Sequence, residues 1–189
     1  MTQSLAILYG SSTGNTEMAA EMIRERLGSA VTHFADIADT EPEVLLAHDI
    51  LILGVATWNI GDVQDDWDEF MPRLRALDLT GKKVALFAMG DATGYPYNFL
   101  DAMGLLWKAA QASGKPELVG VWPSEDYDFE ESEALHDEEH FVGLGLDEDN
   151  EPELHEERIS KWLAQILNEC QLHSTGTAAA PLLSSSPRP

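Results

Sequence analysis

Short apolar runs alternate with stretches of helical periodicity along most of the chain. The apolar runs have the length and near-continuous hydrophobicity of buried parallel strands, and they cover residues 5–9, 31–36, 49–56, 83–89, 118–122 and 141–146. Apolar residues recur every three or four positions between and after these runs, which predicts helices over 16–27, 64–77, 99–113 and 154–167. Strands that alternate with helices favour an α/β fold, with an open, doubly wound parallel sheet and helices on both faces.

The end of this pattern bounds the predicted domain. A polar, acidic stretch over 123–140 separates the last two strands, and small, polar and proline-rich residues follow Cys170. Such a composition cannot bury a core, so we expect one domain over 1–170 and a disordered tail over 171–189. The whole chain of 189 residues has the usual size of one compact domain.

Composition excludes several classes of protein. With 44% hydrophobic residues the chain can bury a core, yet no run approaches the ~18 apolar residues that span a bilayer. The first four residues carry no basic side chain, so no secretory signal is expected. The single cysteine, Cys170, permits no intramolecular disulfide. These features favour a cytoplasmic protein.

The charge of the chain is strongly negative and unevenly placed. Its 34 acidic and 11 basic residues give a formal net charge of −23, so nucleic acids and membranes, which are themselves negative, are poor partners. Residues 116–157 contain no lysine or arginine but 17 of the acidic residues. This run is either a solvated, salt-tolerant face or a docking surface for basic proteins, and the sequence leaves both interpretations open.

The loop after the first strand has the composition of a phosphate site. In an open parallel sheet, ligands bind at the carboxyl ends of the strands, where this loop combines hydroxyls, glycines and the free N–H groups of a helix start. The candidate residues are Ser11, Ser12, Thr13, Gly14, Asn15 and Thr16. The loop is neither a P-loop nor a dinucleotide fingerprint, and without lysine or arginine its neutral donors suit a resident monophosphate. An ordinary capped strand–helix turn is the alternative.

Two aromatic loops follow the neighbouring strands. Trp58 comes directly after the strand over 49–56, and Tyr95 lies in a turn-rich loop after the strand over 83–89. A lone aromatic residue in such a loop is more often part of a core. Two of them beside a phosphate loop describe a slot for a planar ring that carries a phosphate, and flavin mononucleotide (FMN) is such a ligand.

Several motifs of the chain resemble the flavodoxin family. They are YGSSTGNTE from Tyr9, ATWNIG from Ala56, QDDW from Gln64, GD at Gly90, NFLDA from Asn98 and FVGLGLDEDN from Phe141. The resemblance covers residues 4–169, and the interrupted last strand is similar to that of long-chain flavodoxins; residues 53–70 and 165–169 resemble the second flavodoxin of enteric bacteria. It implies a five-stranded parallel sheet in the order 2-1-3-4-5, whose last strand is interrupted by an insertion.

The resemblance also implies a role for each loop at an FMN. The loop over 11–16 holds the phosphate, Trp58 lies against the inner face of the ring, and Tyr95 stacks on the outer face. Gly90 and Asp91 meet the pyrimidine edge. The further residues of the implied site are Thr57, Asn59, Ile60, Gly61, Asn98 and Asp147, with the peptide bond between Asn59 and Ile60 contacting the ring. The positions that depart from the family pattern are Ala56, Ala92 and Tyr97.

A flavodoxin-like protein is an electron carrier and not an enzyme. The resemblance implies a low-potential, one-electron carrier with non-covalently bound FMN, since aromatic faces and an acidic shell disfavour negative charge on the ring. It implies a monomer that docks transiently on basic-surfaced reductases and acceptor redox proteins. An FMN-dependent NAD(P)H:quinone oxidoreductase of related fold is the alternative. The histidines show no metal-ligand spacing with Cys170, and no catalytic constellation is predicted.

Overall fold

The computed structural model describes residues 3–172. The strands are β1 (Leu5–Tyr9), β2 (Val31–Asp36), β3 (Ile50–Trp58), β4 (Asp62–Val63), β5 (Lys83–Met89), β6 (Glu117–Leu118), β7 (Trp122–Pro123), β8 (His140–Phe141) and β9 (Leu144–Leu146). The helices are α1 (Asn15–Leu27), α2 (Glu43–Ala47), α3 (Asp65–Arg75), α4 (Asp101–Ala112) and α5 (His155–Glu169), with short 3₁₀ turns at Gly28–Ala30, Ile37–Asp39 and Pro152–Leu154. Of the predicted tail, residues 173–189 lie outside the described residues.

The main sheet is parallel and follows the order β2-β1-β3-β5, with β6 and β9 along the outer edge of β5. β6 pairs with Lys83 and Val84 at the start of β5, and β9 pairs with residues 87–89 at its end. The two short strands are therefore the two halves of a fifth strand. This confirms the predicted order and the predicted interruption of the last strand by an insertion.

Helices cover both faces of the sheet because almost every position of its central strands is apolar. Side chains alternate between the faces along a strand, so Leu5 and Ile7 pack on one side while Ala6 and Leu8 pack on the other. Residues of α1 and α5 complete the first side, and residues of α2, α3 and α4 complete the second. Since the strands are buried along their length, polar side chains that could bind a ligand lie at the ends of the strands.

The predicted strand over 118–122 is broken in the structure. Leu118 pairs in the main sheet, but the chain turns out of the sheet at Gly120, where φ is +74°. The Gly120 carbonyl accepts a hydrogen bond from Trp162 Nε1 (2.7 Å), and its N–H donates to Glu169 (2.7 Å). A Cβ at this position would lie 2.6 Å from Trp162 Nε1, so glycine lets the chain pass close to α5.

The insertion between β6 and β9 extends the core on the side of the sheet that α3 and α4 cover. β7 pairs with β8 in an antiparallel hairpin. Aromatic rings pack against one another with centroids 5.1–6.0 Å apart, and they belong to Phe99, Tyr127, Phe129 and Phe141. The Tyr127 hydroxyl accepts from Trp122 Nε1 (2.9 Å) and donates to the Gly145 carbonyl (2.8 Å), while burial raises the pKa of Tyr127 well above its usual value. These contacts fasten the insertion to β9.

Two short elements were not predicted. β3 continues to Trp58 and folds back onto β4, where Thr57 pairs with Val63 and Trp58 with Asp62. Helix α2 has 5 residues, which is too short for helical periodicity to show in the sequence. Both elements lie in stretches for which the hydrophobic pattern predicts neither a helix nor a strand.

The chain continues in hydrogen-bonded structure for two residues beyond Cys170. Gln171 and Leu172 donate their N–H groups to the carbonyls of Asn168 (3.1 Å) and Leu167 (2.8 Å), as at many helix ends. Within residues 3–172, none of the helices has the length and apolar character needed to cross a membrane.

Candidate functional site

A cleft of about 510 Å³ lies where β1, β3 and β5 end, a volume within the range of small-molecule sites. The residues that line it are Ser12, Thr13, Asn15, Thr16, Ala56, Thr57, Trp58, Asn59, Met89, Gly90, Asp91, Tyr95, Asn98, Glu148 and Asp149. All of these except Ala56, Met89, Glu148 and Asp149 were predicted from the sequence. The structure therefore brings the three predicted loops together around one cleft.

The loop before α1 lines the cleft with hydroxyls and leaves backbone N–H groups unpaired. Gly14 adopts φ +94° at the start of the helix, a conformation that glycine takes without strain. Ser11 Oγ accepts hydrogen bonds from the N–H groups of Gly14 (3.1 Å) and Glu17 (3.3 Å). Within residues 3–172, the N–H groups of Asn15 and Thr16 have no hydrogen-bond partner. Ser11 and Gly14 thus shape the loop without lining the cleft.

Gln64 supports this loop and was not predicted as a site residue. It is buried, and its Nε2 donates to Ser12 Oγ (3.1 Å) and Asp66 (2.6 Å). Its Oε1 accepts from the Trp67 N–H (3.3 Å) and so caps α3. Gly10 packs so closely against Gln64 and Trp67 that a Cβ there would collide with both. The sequence signal for Gln64 was a polar residue at the start of a predicted helix.

Trp58 is presented by the turn between β3 and β4 and is 37% exposed. Asn59 and Gly61 adopt positive φ values of 48° and 86°, which close the turn, and Asn59 Nδ2 donates to Asp62 (3.1 Å). Ile60 stands at the tip and is 78% exposed. The predicted residues Ile60 and Gly61 therefore form the turn that holds Trp58 and do not line the cleft.

The start of α4 anchors the same turn. The Ala102 N–H donates to Thr57 Oγ1 (3.3 Å), and Asn98 Nδ2 donates to Asp101 Oδ2 (2.9 Å). A Cβ on Gly61 would lie 2.6 Å from that same Asp101 oxygen. The turn after β3 is therefore packed directly against α4.

Hydrogen bonds within the loop after β5 fix its shape. The Gly90 N–H donates to the Leu146 carbonyl (2.9 Å), which joins the loop to β9. Asp91 Oδ1 accepts from the Gly94 N–H (2.7 Å), and the Asp91 carbonyl accepts from the Tyr95 N–H (3.0 Å). Tyr95 lines the cleft and is 48% exposed, so its ring is available to a ligand.

The structure does not place the predicted residue Asp147 in the cleft lining. Asp147 is buried, and its carboxylate accepts hydrogen bonds from the N–H groups of Ala92 (2.9 Å) and Asn150 (3.0 Å). It organises the loop after β9, while Glu148 and Asp149 line the cleft. The acidic run in the sequence signals this loop but does not tell which of its members faces the cleft.

Tyr9 lies at the end of β1, next to the hydroxyl-rich loop. Its hydroxyl donates to Glu17 Oε1 (3.2 Å), and burial together with the Glu17 charge raises the pKa of Tyr9 to about 12. The phenol is therefore neutral at physiological pH and ties β1 to the first turn of α1.

The cleft fits a flat ring that carries a phosphate. Hydroxyls and unpaired N–H groups at a helix start suit a phosphate, and the cleft lining contains no lysine or arginine. The exposed rings of Trp58 and Tyr95 offer aromatic faces for stacking. Within the described part of the chain, no group of three or more His, Cys, Asp or Glu side chains is placed to hold a metal ion.

Comparison with known sequences identifies the family. The flavodoxin family model matches residues 7–162. The chain is 46% identical over 174 residues to the flavodoxin of Klebsiella pneumoniae, covering 92% of this chain and 98% of that protein. It is 48% identical over 166 residues to Flavodoxin 1 of Escherichia coli K12, covering 88% and 94% of the two chains. It is 43% identical over 171 residues to Flavodoxin 2 of the same strain, covering 90% and 98%.

Comparison with solved structures agrees. The flavodoxin of Fusobacterium nucleatum bound to flavin mononucleotide is similar with a TM-score of 0.81 and 26% identity, covering 88% of this chain and 98% of that one. Oxidised Flavodoxin 1 from Bacillus cereus is similar with a TM-score of 0.65 and 27% identity, covering 87% and 97%. The family model matches most of this chain, and curated relatives are more than 40% identical to it. The chain therefore belongs to the flavodoxin family.

Proposed function

We propose that this chain is an electron carrier that holds FMN non-covalently in the cleft and passes single electrons between redox proteins. The observation that carries the proposal is the combination in one cleft of neutral phosphate donors and two exposed aromatic rings, Trp58 and Tyr95. Membership of the flavodoxin family and the FMN-bound structure of the Fusobacterium nucleatum relative support it.

The loop over 11–16 binds the phosphate. Its hydroxyls and the unpaired N–H groups of Asn15 and Thr16 are donors, and the start of α1 adds a partial positive charge. Ser11 and Gly14 shape the loop, and Gln64 positions Ser12 through its hydrogen bond. Because all of these donors are neutral, they suit a monophosphate that stays bound.

The two aromatic loops hold the ring. Trp58 and Tyr95 cover its faces and exclude water, with Thr57, Asn59, Gly90, Asp91 and Asn98 beside them. Ile60 and Gly61 contribute through the shape of their turn, and Asp147 contributes through the loop that it organises. When bound, FMN supplies the redox chemistry by accepting and releasing electrons one at a time.

Acidic side chains in the cleft lining lower the reduction potential. Asp91, Glu148 and Asp149 line the cleft, and no lysine or arginine joins them there. Their charges repel negative charge added to the cleft, and the aromatic walls provide little polar stabilisation for it. The carrier is therefore suited to low-potential electron transfer.

The acidic surface selects the partners. With a net charge of −23, the protein attracts reductases of the flavodoxin or ferredoxin type and acceptor redox enzymes that have basic surfaces. Ile60 and Tyr97 are 78% and 60% exposed and provide apolar contact near the cleft. Docking is transient, and the carrier acts as a cytoplasmic monomer whose functional unit is the domain over 1–170.

Titration of the flavin-free protein with FMN tests this function. We expect one FMN per chain with a Kd below about 1 μM, measured by quenching of flavin fluorescence. Trp58→Ala should raise the Kd about tenfold or more because a stacking face is lost. Tyr97→Ala removes an exposed aromatic side chain outside the cleft lining and is the matched control, with an unchanged Kd.

A second measurement separates a carrier from an enzyme. The FMN-loaded protein alone should not oxidise NAD(P)H with a quinone as acceptor. When a flavodoxin-type reductase is added, the reductase oxidises NAD(P)H and should reduce the FMN-loaded protein. Absence of FMN binding, or rapid NAD(P)H oxidation by the isolated protein, would overturn the proposal.

A further inference from the structure

A buried histidine beside the cleft contacts a carboxylate that lines it. His155 is the first residue of α5 and is 3% exposed. Its Nδ1 lies 3.3 Å from Glu148 Oε2, and Glu148 lines the cleft. Its Nε2 is buried and has no hydrogen-bond partner in residues 3–172. A buried imidazole with one nitrogen unpaired and the other next to a cleft carboxylate calls for a physical explanation.

The loop that carries Glu148 is fastened on either side of it. Asp147 is buried and accepts hydrogen bonds from backbone N–H groups, and Glu151 Oε2 accepts a 2.7 Å hydrogen bond from Arg158. Between these two anchors, the Glu148 carboxylate has a single polar partner within residues 3–172, the His155 imidazole. Its side chain is 33% exposed, so without this contact it is free to turn further into the cleft.

We propose that His155 is a positioning residue that holds the Glu148 carboxylate towards α5 and so sets where negative charge lies on this wall of the cleft. The imidazole attracts the carboxylate through Nδ1, which lies 3.3 Å from Glu148 Oε2. The affinity for a ligand that carries a phosphate then depends on this pair. The inference rests on the proposed function, because the ligand that senses the pair is FMN.

Glu148 is the charged group that contacts the imidazole. The other charged groups on the elements around His155 are engaged elsewhere or exposed: Asp147 in its own loop, Arg158 with Glu151, Arg26 of α1 with Glu156, Lys161 with Glu157, and Asp149 and Glu153 at exposed positions. β9, which also packs against α5, has no charged residue. An effect of His155 on the cleft therefore passes through Glu148.

A double-mutant cycle on FMN affinity tests the proposal. At pH 8, His155→Leu should raise the Kd about threefold, because the released carboxylate turns towards the bound anion. Glu148→Gln should lower the Kd about threefold, and adding His155→Leu to it should have no further effect. His155→Gln keeps a donor for Glu148 and should restore nearly the wild-type Kd at this pH.

A matched control changes a histidine away from the cleft. His140→Gln alters a partly exposed histidine that pairs with Asp137, so the Kd for FMN should stay at the wild-type value.

The two hypotheses fail in different ways. If His155→Leu changes the Kd by the same factor with and without Glu148→Gln, or leaves it unchanged, His155 does not act through Glu148 and the inference is wrong. If the wild-type protein does not bind FMN, the proposed function is wrong. Circular dichroism of each variant confirms that a changed Kd is measured on folded protein.

Discussion

Gly61 tests how strictly the turn after Trp58 must keep its shape. Its φ is +86°, and a Cβ would lie 2.6 Å from Asp101 Oδ2. Gly61→Ala should cost about 2–3 kcal/mol of stability, from the left-handed backbone and the collision together, and should weaken FMN binding by displacing Trp58. Urea unfolding and FMN titration measure the two effects.

Gly81→Ala is the matched control for this substitution. Gly81 has φ +79°, but a Cβ there meets nothing within 4 Å. It should therefore lose only the backbone contribution of about 1 kcal/mol and keep the FMN affinity. Equal effects of the two variants would show that contact with Asp101 does not constrain the turn.

Cys170 makes stability depend on pH in the alkaline range. The thiol is 1% exposed, and burial raises its pKa to about 11, so the folded state favours the neutral thiol. This stabilisation is fully present below the pKa of the unfolded thiol, near 9, and is lost as pH rises towards and through about 11. Cys170→Ala should flatten the pH dependence of the unfolding free energy between pH 9 and 11 by up to about 2 kcal/mol, measured by urea unfolding. Parallel curves for the two proteins would contradict this.

At the scale of single residues, the sequence predicted the site where a side chain has its own chemistry. The hydroxyls around Ser12 and the rings of Trp58 and Tyr95 were predicted to lie together because their loops follow neighbouring parallel strands, and the structure places them around one cleft. Gln64 and Glu148 could not, because their positions depend on contacts with other loops, made to Ser12 and to His155. Such long-range contacts leave no pattern in the local sequence.

The attachment of α5 to the loop after β9 depends on a partly buried ion pair. Arg158 donates to Glu151 at 2.7 Å, and its guanidinium lies 4.2 Å from the centroid of the Tyr127 ring. Arg158→Met should cost about 1–3 kcal/mol, because the cation–π contact is lost and Glu151 is left unpaired. Lys161→Met breaks an exposed pair with Glu157 in the same helix and should cost less than about 0.5 kcal/mol. Urea unfolding of both variants gives the comparison, and similar losses would contradict the expected difference.

At the scale of elements, strands were predicted most accurately where the run of apolar residues is longest. The central strands were predicted closely because burial on both faces makes them continuous apolar runs. The prediction of one strand over 118–122 was wrong. Val119 and Val121 are typical strand residues, but Gly120 turns the chain towards Trp162. That turn is decided by packing against α5, which lies more than 30 positions further along the chain.

The whole molecule should respond to salt because its charge is so one-sided. If the partner is a basic-surfaced reductase, as we propose, the net charge of −23 accelerates association with it, and added salt screens this attraction. We expect the rate of reduction of the FMN-loaded protein by such a reductase to fall about tenfold between 50 and 500 mM NaCl, measured by stopped-flow absorbance. Reduction by a small uncharged reductant is the control and should change little. A salt-independent rate with the reductase would exclude electrostatic steering.

The paired halves of the fifth strand constrain how the chain could become shorter. Leu118 and Leu144 pair with Val84 and Phe87 of β5, which lie three positions apart, so two residues in place of the segment over 119–143 would continue the strand without movement of the sheet. However, the ring of Phe99 is covered by aromatic residues of that segment, and the Gly145 carbonyl is paired with Tyr127. A truncated form would leave an apolar ring in water and a backbone acceptor without its donor. Deletion of the segment would therefore require compensating changes near Phe99 and near Gly145. Evolution or design would need several substitutions to make it.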